Sequence, residues 1–434
     1  MASFFKGKES GPVGRVALIA LLTGALALSG CVGSSHRAQK PSRPAPRTVS
    51  YQPVSPADNL PLDGASAAPL QDFAIGEPRA PVSGSTIGSG PVKVALILPL
   101  SGSAQGAPVA QSMRNAADLA ISEFPGSDLT ILVKDDRGTL EGAQEAAHLA
   151  LAEGAQLILG PLFAGSVQAA GQVARQAGKP LIGFSSDRAA ATHGVYLLSF
   201  MVQAEVDRII AYAASQNRRS IAALIPDTAY GRVAEAQMRE ATAESRLRIV
   251  AIERYPAGQP HGAVQRLASV IGGPSPQADA LFIPDDGDGL PAVAQALQSI
   301  RFDAQQVKPL GTGLWDEPRI FALPALQSGW FAAPDKRGFM DFAARYRARF
   351  NSEPVRLATL SYDAVTLAAA LARIQGPQAY NDGVLTNGAG FAGADGVFRL
   401  NPNGTNDRSL TVQEVRGGTT VVISTAPRTL MASY

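Results

Sequence analysis

The stretch Val92-Lys93-Val94-Ala95-Leu96-Ile97-Leu98-Pro99-Leu100-Ser101-Gly102 decides the reading of this 434-residue chain. Residues 92–98 form an apolar run of strand length, and 109–124 follows with apolar residues at helical spacing. The alternation continues outward: 129–134 reads as a strand, 140–151 as a helix, 157–160 as a strand, 166–177 as a helix and 180–184 as a strand. Strands apolar on both faces and separated by helices predict a parallel sheet covered on both sides.

After 196–200 the pattern restarts. Helices are expected at 205–214, 232–243, 263–271 and 292–300, with strands at 221–225, 248–255, 280–284 and 307–310. This is a second α/β lobe. The segments after 329, with helices at 338–350 and 359–374, need partners and are expected to return to the first lobe. The tail, with 397–400, the turn Asn401-Pro402-Asn403-Gly404, 410–415 and 420–424, reads as antiparallel strands joined by turns. The expected division is 92–200 with 330–395 as lobe 1, and 201–329 with 396–434 as lobe 2, joined by a hinge.

Ahead of this body stands a leader. Lys6, Lys8 and Arg15 give a positive start, 16–28 is apolar but too short for roughly 30 Å of hydrocarbon, and Ser29-Gly30 precede Cys31. Leu28-Ser29-Gly30-Cys31 resembles the bacterial lipoprotein signal, which implies that 1–30 is removed and Cys31 carries lipid. The other reading is an ordinary cleaved signal with an incidental cysteine. As the only cysteine, Cys31 permits no internal disulfide. Val32 stands where an Asp would mark retention in the inner membrane of Gram-negative lipoproteins, so the resemblance points to the outer membrane of such a host. Residues 32–91 are rich in Pro, Ser, Ala and Gly, without apolar periodicity, and 31–91 is expected to be a disordered tether. About sixty residues of coil span roughly 40–45 Å on average.

The formal charge of +2 sits in the leader, on Lys6, Lys8, Glu9 and Arg15, so the body is neutral. No basic run with interleaved aromatics appears, and nucleic acid is not an expected partner. The histidines are His36, His148, His193 and His261, without an HExxH pair or a second cysteine. Ser185-Ser186 lacks the nucleophile elbow, Gly311-x-Gly313 lacks the third glycine of a dinucleotide fingerprint, and no Walker motif occurs. The chain is therefore expected not to be an enzyme, with no metal and no cofactor.

Several motifs stand in order along the body: 94–102 followed by Gln111-Ser112-Met113-Arg114-Asn115-Ala116-Ala117; Gly160-Pro161-Leu162 with Ser166; Pro180 to Ser186; Tyr230-Gly231; and Tyr362-Asp363-Ala364. Together they resemble the type I periplasmic binding proteins of the leucine/isoleucine/valine-binding class. The resemblance implies a two-lobed fold that closes by hinge motion on a small polar, amino-acid-like ligand and serves an ABC permease. Ser101, Ser166, Ser185, Ser186 and Tyr230 all fall at strand ends, where ligands sit in α/β lobes, and by the resemblance Ser166 and either Ser185 or Ser186 would hold a ligand carboxylate and Tyr230 would cover the ligand. The same serines would also serve as helix caps and turn residues. For the ligand ammonium the candidates are Asp316, with Trp315 as an alternative filler of the cleft, and Asp286 in Asp285-Asp286-Gly287-Asp288. That acidic run lacks the bidentate Glu of a calcium loop and reads first as a helix-start turn. The anchor, the tether and the Leu-Pro-Leu-Ser-Gly opening also resemble activator lipoproteins of penicillin-binding proteins. That resemblance implies a peptidoglycan synthase as partner and a peptidoglycan fragment as a possible ligand, but 32–91 is too short for the helical-repeat domain those activators carry.

Overall fold

The computed structural model describes residues 85–430, except 125, 127, 377 and 378. Cys31, the leader and nearly all of the expected tether lie outside the described residues.

The first lobe is built on one sheet. Its elements are β1 (Thr86–Gly88), β2 (Val92–Leu98), α1 (Gly106–Ser122), β3 (Leu129–Asp135), α2 (Leu140–Ala152), β4 (Ile158–Leu159), α3 (Ala164–Gln176), β5 (Leu181–Gly183) and β6 (Val195–Leu197). The strand order is β1-β3-β2-β4-β5-β6, parallel throughout except for β1. β2 shows why its sequence reads as a continuous apolar run. Val94, Leu96 and Leu98 pack with Met113 and Ala117 of α1, whereas Ala95 and Ile97 pack with Ala147 of α2 and Val167 of α3. Each face has its own helices, and each buried Leu or Ile contributes about 1.5–3 kcal/mol.

The second lobe repeats the scheme with α4 (Val202–Ser215), β7 (Ser220–Pro226), α5 (Ala229–Glu244), β8 (Arg248–Tyr255), α6 (His261–Ile271), β9 (Ala280–Phe282), α7 (Leu290–Ser299), β10 (Lys308–Gly311), α8 (Pro318–Phe321) and β11 (Trp330–Ala333). In β7, Ile221, Ala223 and Ile225 face α4 and α5, and Ala222 and Leu224 face α6 and α7. Then come α9 (Lys336–Phe350), α10 (Ala358–Gln375), α11 (Asp382–Leu385), β12 (Phe391–Gly393), β13 (Gly396–Leu400), β14 (Asn406–Arg408), β15 (Thr411–Arg416) and β16 (Thr419–Ser424). The second sheet runs β16-β15-β11-β10-β9-β7-β8, parallel from β11 to β8, with β15 antiparallel to β11 and β16 antiparallel to β15. Helices α9 and α10 lie on α1, as expected for a return to the first lobe.

Three assignments from sequence are corrected. Residues 86–88, placed in the tether, pair antiparallel with β3 and bury Ile87, since a three-residue strand is too short to show periodicity. Residues 330–333, placed with the first lobe, pair in parallel with β10, so the return begins at Pro334. Residues 396–408, placed with the second lobe, form the small antiparallel sheet β12-β13-β14, and Phe398 and Leu400 join the core of the first. Among the described residues, no helix is long and apolar enough to cross a membrane.

One buried acid makes the first lobe sensitive to pH. Asp136, in the turn between β3 and α2, is fully buried; Oδ1 accepts the Gly138 N–H at 2.9 Å and Oδ2 has no hydrogen-bond partner. Burial pushes its carboxyl up to about 7. Because the folded pKa exceeds the unfolded one, folding takes up a proton between them, and the associated stability is lost as pH rises from about 4 to about 7. Asp136→Asn keeps the acceptor and removes the titration. Urea unfolding is expected to show it more stable than wild type by about 1–3 kcal/mol at pH 8, and nearly equal at pH 4.

Candidate functional site

The helices that follow the parallel strands begin at one edge of each sheet, and there the two lobes face each other. Between them lies a cleft of about 700 Å³. The first lobe lines it with Val109 of α1, Ser186 after β5, Phe339 and Met340 of α9, and Val355-Arg356-Leu357 before α10. The second lobe contributes Glu205 of α4, Tyr230 of α5, Gly313, Leu314, Asp316 and Glu317 after β10, and Ala333. Phe200, Pro334 and Lys336 sit where the chain passes between lobes.

Tyr230 reaches the cleft because of its neighbours. Thr228 caps α5, its Oγ1 accepting the Gly231 N–H at 3.0 Å. A Cβ on Gly231 would lie 2.0 Å from the Pro226 carbonyl oxygen, so only glycine lets the helix start this close to the end of β7. The Tyr230 hydroxyl donates to Thr312 Oγ1 at 2.7 Å and ties α5 to the loop after β10. That loop is also held by Glu205, whose Oε2 accepts the Gly313 N–H at 2.9 Å.

Charges in the cleft come in pairs. Asp316 meets Lys336 at 2.5 Å, and Lys336 also donates to Thr420 Oγ1 at 3.1 Å. Glu317 is bonded by Arg319. Arg356 donates to both oxygens of Asp395, each at 2.7 Å, and its guanidinium carbon lies 4.5 Å from the Phe200 ring centre and 4.7 Å from that of Phe339. Behind Phe200, Arg408 is buried 5.0 Å from the same ring and 3.6 Å from Asp363. Asp363 is fully buried, and desolvation pushes its carboxyl up to about 7.

Of the residues singled out from sequence, Ser186, Tyr230 and Asp316 line the cleft. The others do not. Ser101 is exposed beyond β2, and its N–H donates to Asp135 Oδ1 at 3.2 Å. Ser166 is buried inside the first turn of α3, its hydroxyl donating to the Thr139 carbonyl at 3.4 Å. Ser185 Oγ accepts the Asp187 N–H at 3.1 Å, a local turn. Asp286 Oδ1 accepts the N–H groups of Asp288 and Gly289 at 3.0 and 3.1 Å, the helix-start role read from its run. Trp315 is fully buried, donates from Nε1 to the Ile283 carbonyl at 3.1 Å and packs on Phe331, so it is core and does not fill the cleft. The Tyr362-Asp363 motif is also internal: Tyr362 donates to Glu123 of the α1 C-cap and Asp363 accepts the Ala394 N–H, each at 2.6 Å. Among the described residues, no group of three or more His, Cys, Asp or Glu is placed to hold a metal ion.

Glu205, Lys336, Phe339 and Arg356 line the cleft and were missed from sequence. Glu205 and Lys336 stand just after the passages between lobes, and Pro334-Asp335 was the one local signal. Nothing in the sequence around Arg356 marks it.

Two α/β lobes thus face each other across a cleft. A family model described as periplasmic binding protein matches residues 91–419, and the chain belongs to that family. No curated protein sequence matches it. Among solved structures it is similar to a protein from Rhodospirillum rubrum described as a branched-chain amino acid ABC transporter (19% identity, TM-score 0.68, 76% of this chain and 99% of that one). It is also similar to a solute-binding protein from Rhodopseudomonas palustris in complex with 3,4-dihydroxybenzoic acid (21%, 0.53, 77% and 96%). A third is a branched-chain amino acid transporter substrate-binding protein from Streptococcus pneumoniae in complex with isoleucine (19%, 0.52, 77% and 99%). These likenesses show the shared two-lobed fold.

Gly231→Ala tests the local construction of the site. The added Cβ meets a backbone oxygen that cannot swing away, so chemical denaturation is expected to show a loss of about 1–3 kcal/mol. Unchanged stability would mean that α5 starts further from β7 than described.

Proposed function

We propose that this protein is a lipid-anchored extracytoplasmic receptor whose lobes close on a small amino-acid-like ligand and present it to an ABC permease. The observation that carries the reading is the cleft itself, with Ser186 on one lobe and Tyr230 and Asp316 on the other facing one volume. Its size suits a small organic molecule, and its largely apolar lining with a few placed polar groups is what such sites require. Three backbone passages near 198–201, 334–335 and 409–410 join the lobes, the arrangement in which short segments absorb a hinge rotation. Similar folds hold isoleucine or 3,4-dihydroxybenzoic acid, which supports a compact organic ligand. Cys31 would carry the lipid, and residues 32–84 would give the body its reach from the membrane.

Calorimetry on protein stripped of ligand by unfolding and refolding tests this reading. At least one of leucine, isoleucine, valine, benzoate and 3,4-dihydroxybenzoate is expected to bind, with affinity lowered at least about tenfold in Tyr230→Ala. No binding by wild type across this panel sinks the receptor reading. For the anchor, Cys31→Ser is expected to shift the protein from the membrane to the soluble fraction of lysed cells; retention with the membrane would exclude lipid on Cys31.

A further inference from the structure

Of the serines singled out for the ligand, Ser186 is the one that lines the cleft. Ser166 and Ser185 are committed to backbone partners, and Ser101 stands outside the cleft. Arg356 offers what they do not. A guanidinium has five N–H donors in one plane. Here Nη1 and Nη2 each give one to Asp395, and Nη1 gives its second to Thr359 Oγ1 at 3.3 Å. Among the described residues, the Nε–H and the second Nη2–H have no partner. They point along the same edge, parallel to each other, which is the side-on fork that matches the two oxygens of a carboxylate.

This fork is held rigid. The guanidinium lies over the rings of both Phe200 and Phe339, its end is fixed on the fully buried Asp395, and its side chain keeps 38% exposure while lining the cleft. Little rotamer freedom is left to lose when a ligand arrives. Asp395 balances the Arg356 charge, and Asp316 and Glu317 are paired with Lys336 and Arg319, so these groups leave no surplus positive charge for a dianion such as a phosphate monoester. A monocarboxylate carries less charge to desolvate, and its two oxygens match the fork's two aligned donors. Its body would lie on Val109, Phe339, Met340, Val355 and Leu357, which are all apolar.

The geometry points to Arg356 as the specificity-determining residue of the cleft, receiving the single carboxylate of a ligand whose remainder is apolar or aromatic. This rests on the receptor reading above and adds to Ser186 a guanidinium fork for the carboxylate.

The test compares acids with their amides on the wild-type protein: benzoate with benzamide, 3,4-dihydroxybenzoate with its amide, and isoleucine with isoleucinamide. Calorimetry is run beside the 1H–15N resonance of Arg356 Nε, identified by its absence from Arg356→Lys. Lysine keeps a charge for Asp395 but has no fork. The expected result is an acid bound at least tenfold tighter than its amide, a saturable shift of the Arg356 Nε resonance with that acid, and loss of the preference in Arg356→Lys. The wild-type comparisons stand even if the variant folds poorly. Equal affinity for acid and amide, or tight binding of an acid with the Nε resonance unmoved, overturns the assignment and leaves the receptor reading intact. If none of the pairs binds, the two fall together.

Discussion

A parallel strand covered by helices on both faces has only its ends left for contact with anything else, and that constraint organises this molecule. β2 and β7 bury every residue except Lys93, with alternate side chains feeding separate cores above and below each sheet. Function is thereby pushed to the carboxyl edges, where loops enter helices and backbone N–H groups stay unpaired. Because the chain passes between the sheets repeatedly, those two edges are held facing each other, and the cleft follows from the topology.

The passages also explain the electrostatics. Phe200, Pro334, Lys336 and Arg408 all lie at or beside them, and the charges there are tied either to an opposite charge or to an aromatic ring. Arg356 stacks on Phe200, and Phe200 also carries Arg408, so a line of guanidinium and ring contacts leads from the cleft wall into the first-lobe core, where Arg408 lies 5.6 Å from the Phe398 ring. Desolvated charge is tolerated only when matched. Asp395, fully buried against Arg356, and Asp363, with its raised pKa beside Arg408, are the matching groups. A cleft wall assembled this way is stiff, which suits recognition by orientation of hydrogen bonds better than by net charge.

The fold was legible in the sequence because burial on two faces leaves an uninterrupted apolar run, as in 92–98 and 221–225, and helices with one buried stripe show their period. Boundaries went astray where that signal fades. The strand at 86–88 is too short to show a pattern, and the segments 330–333 and 396–408 carry apolar residues that would suit either sheet. In the site, strand-end position picked out Ser186, Tyr230 and Asp316, which line the cleft. It failed for Ser166 and Ser185, because a hydroxyl at a helix start satisfies a nearby backbone group as readily as a ligand. It failed for Trp315 because a large ring next to glycine is as good a core residue as a cleft residue, and here a Cβ on Gly311 would lie 2.2 Å from the indole.

The sequence by itself determined two α/β lobes, the order of their strands and helices, and the strand ends at which a site would form, since all of these depend on local periodicity and chain order. Only the tertiary structure decided which side chains meet in the cleft. Arg356, Phe200, Phe339 and Asp395 come from segments far apart in the chain, and no local pattern records that they form one stacked and hydrogen-bonded unit. Contacts of that kind are fixed by how the lobes pack and where the chain passes between them, and a residue's partner there is set by distance in space.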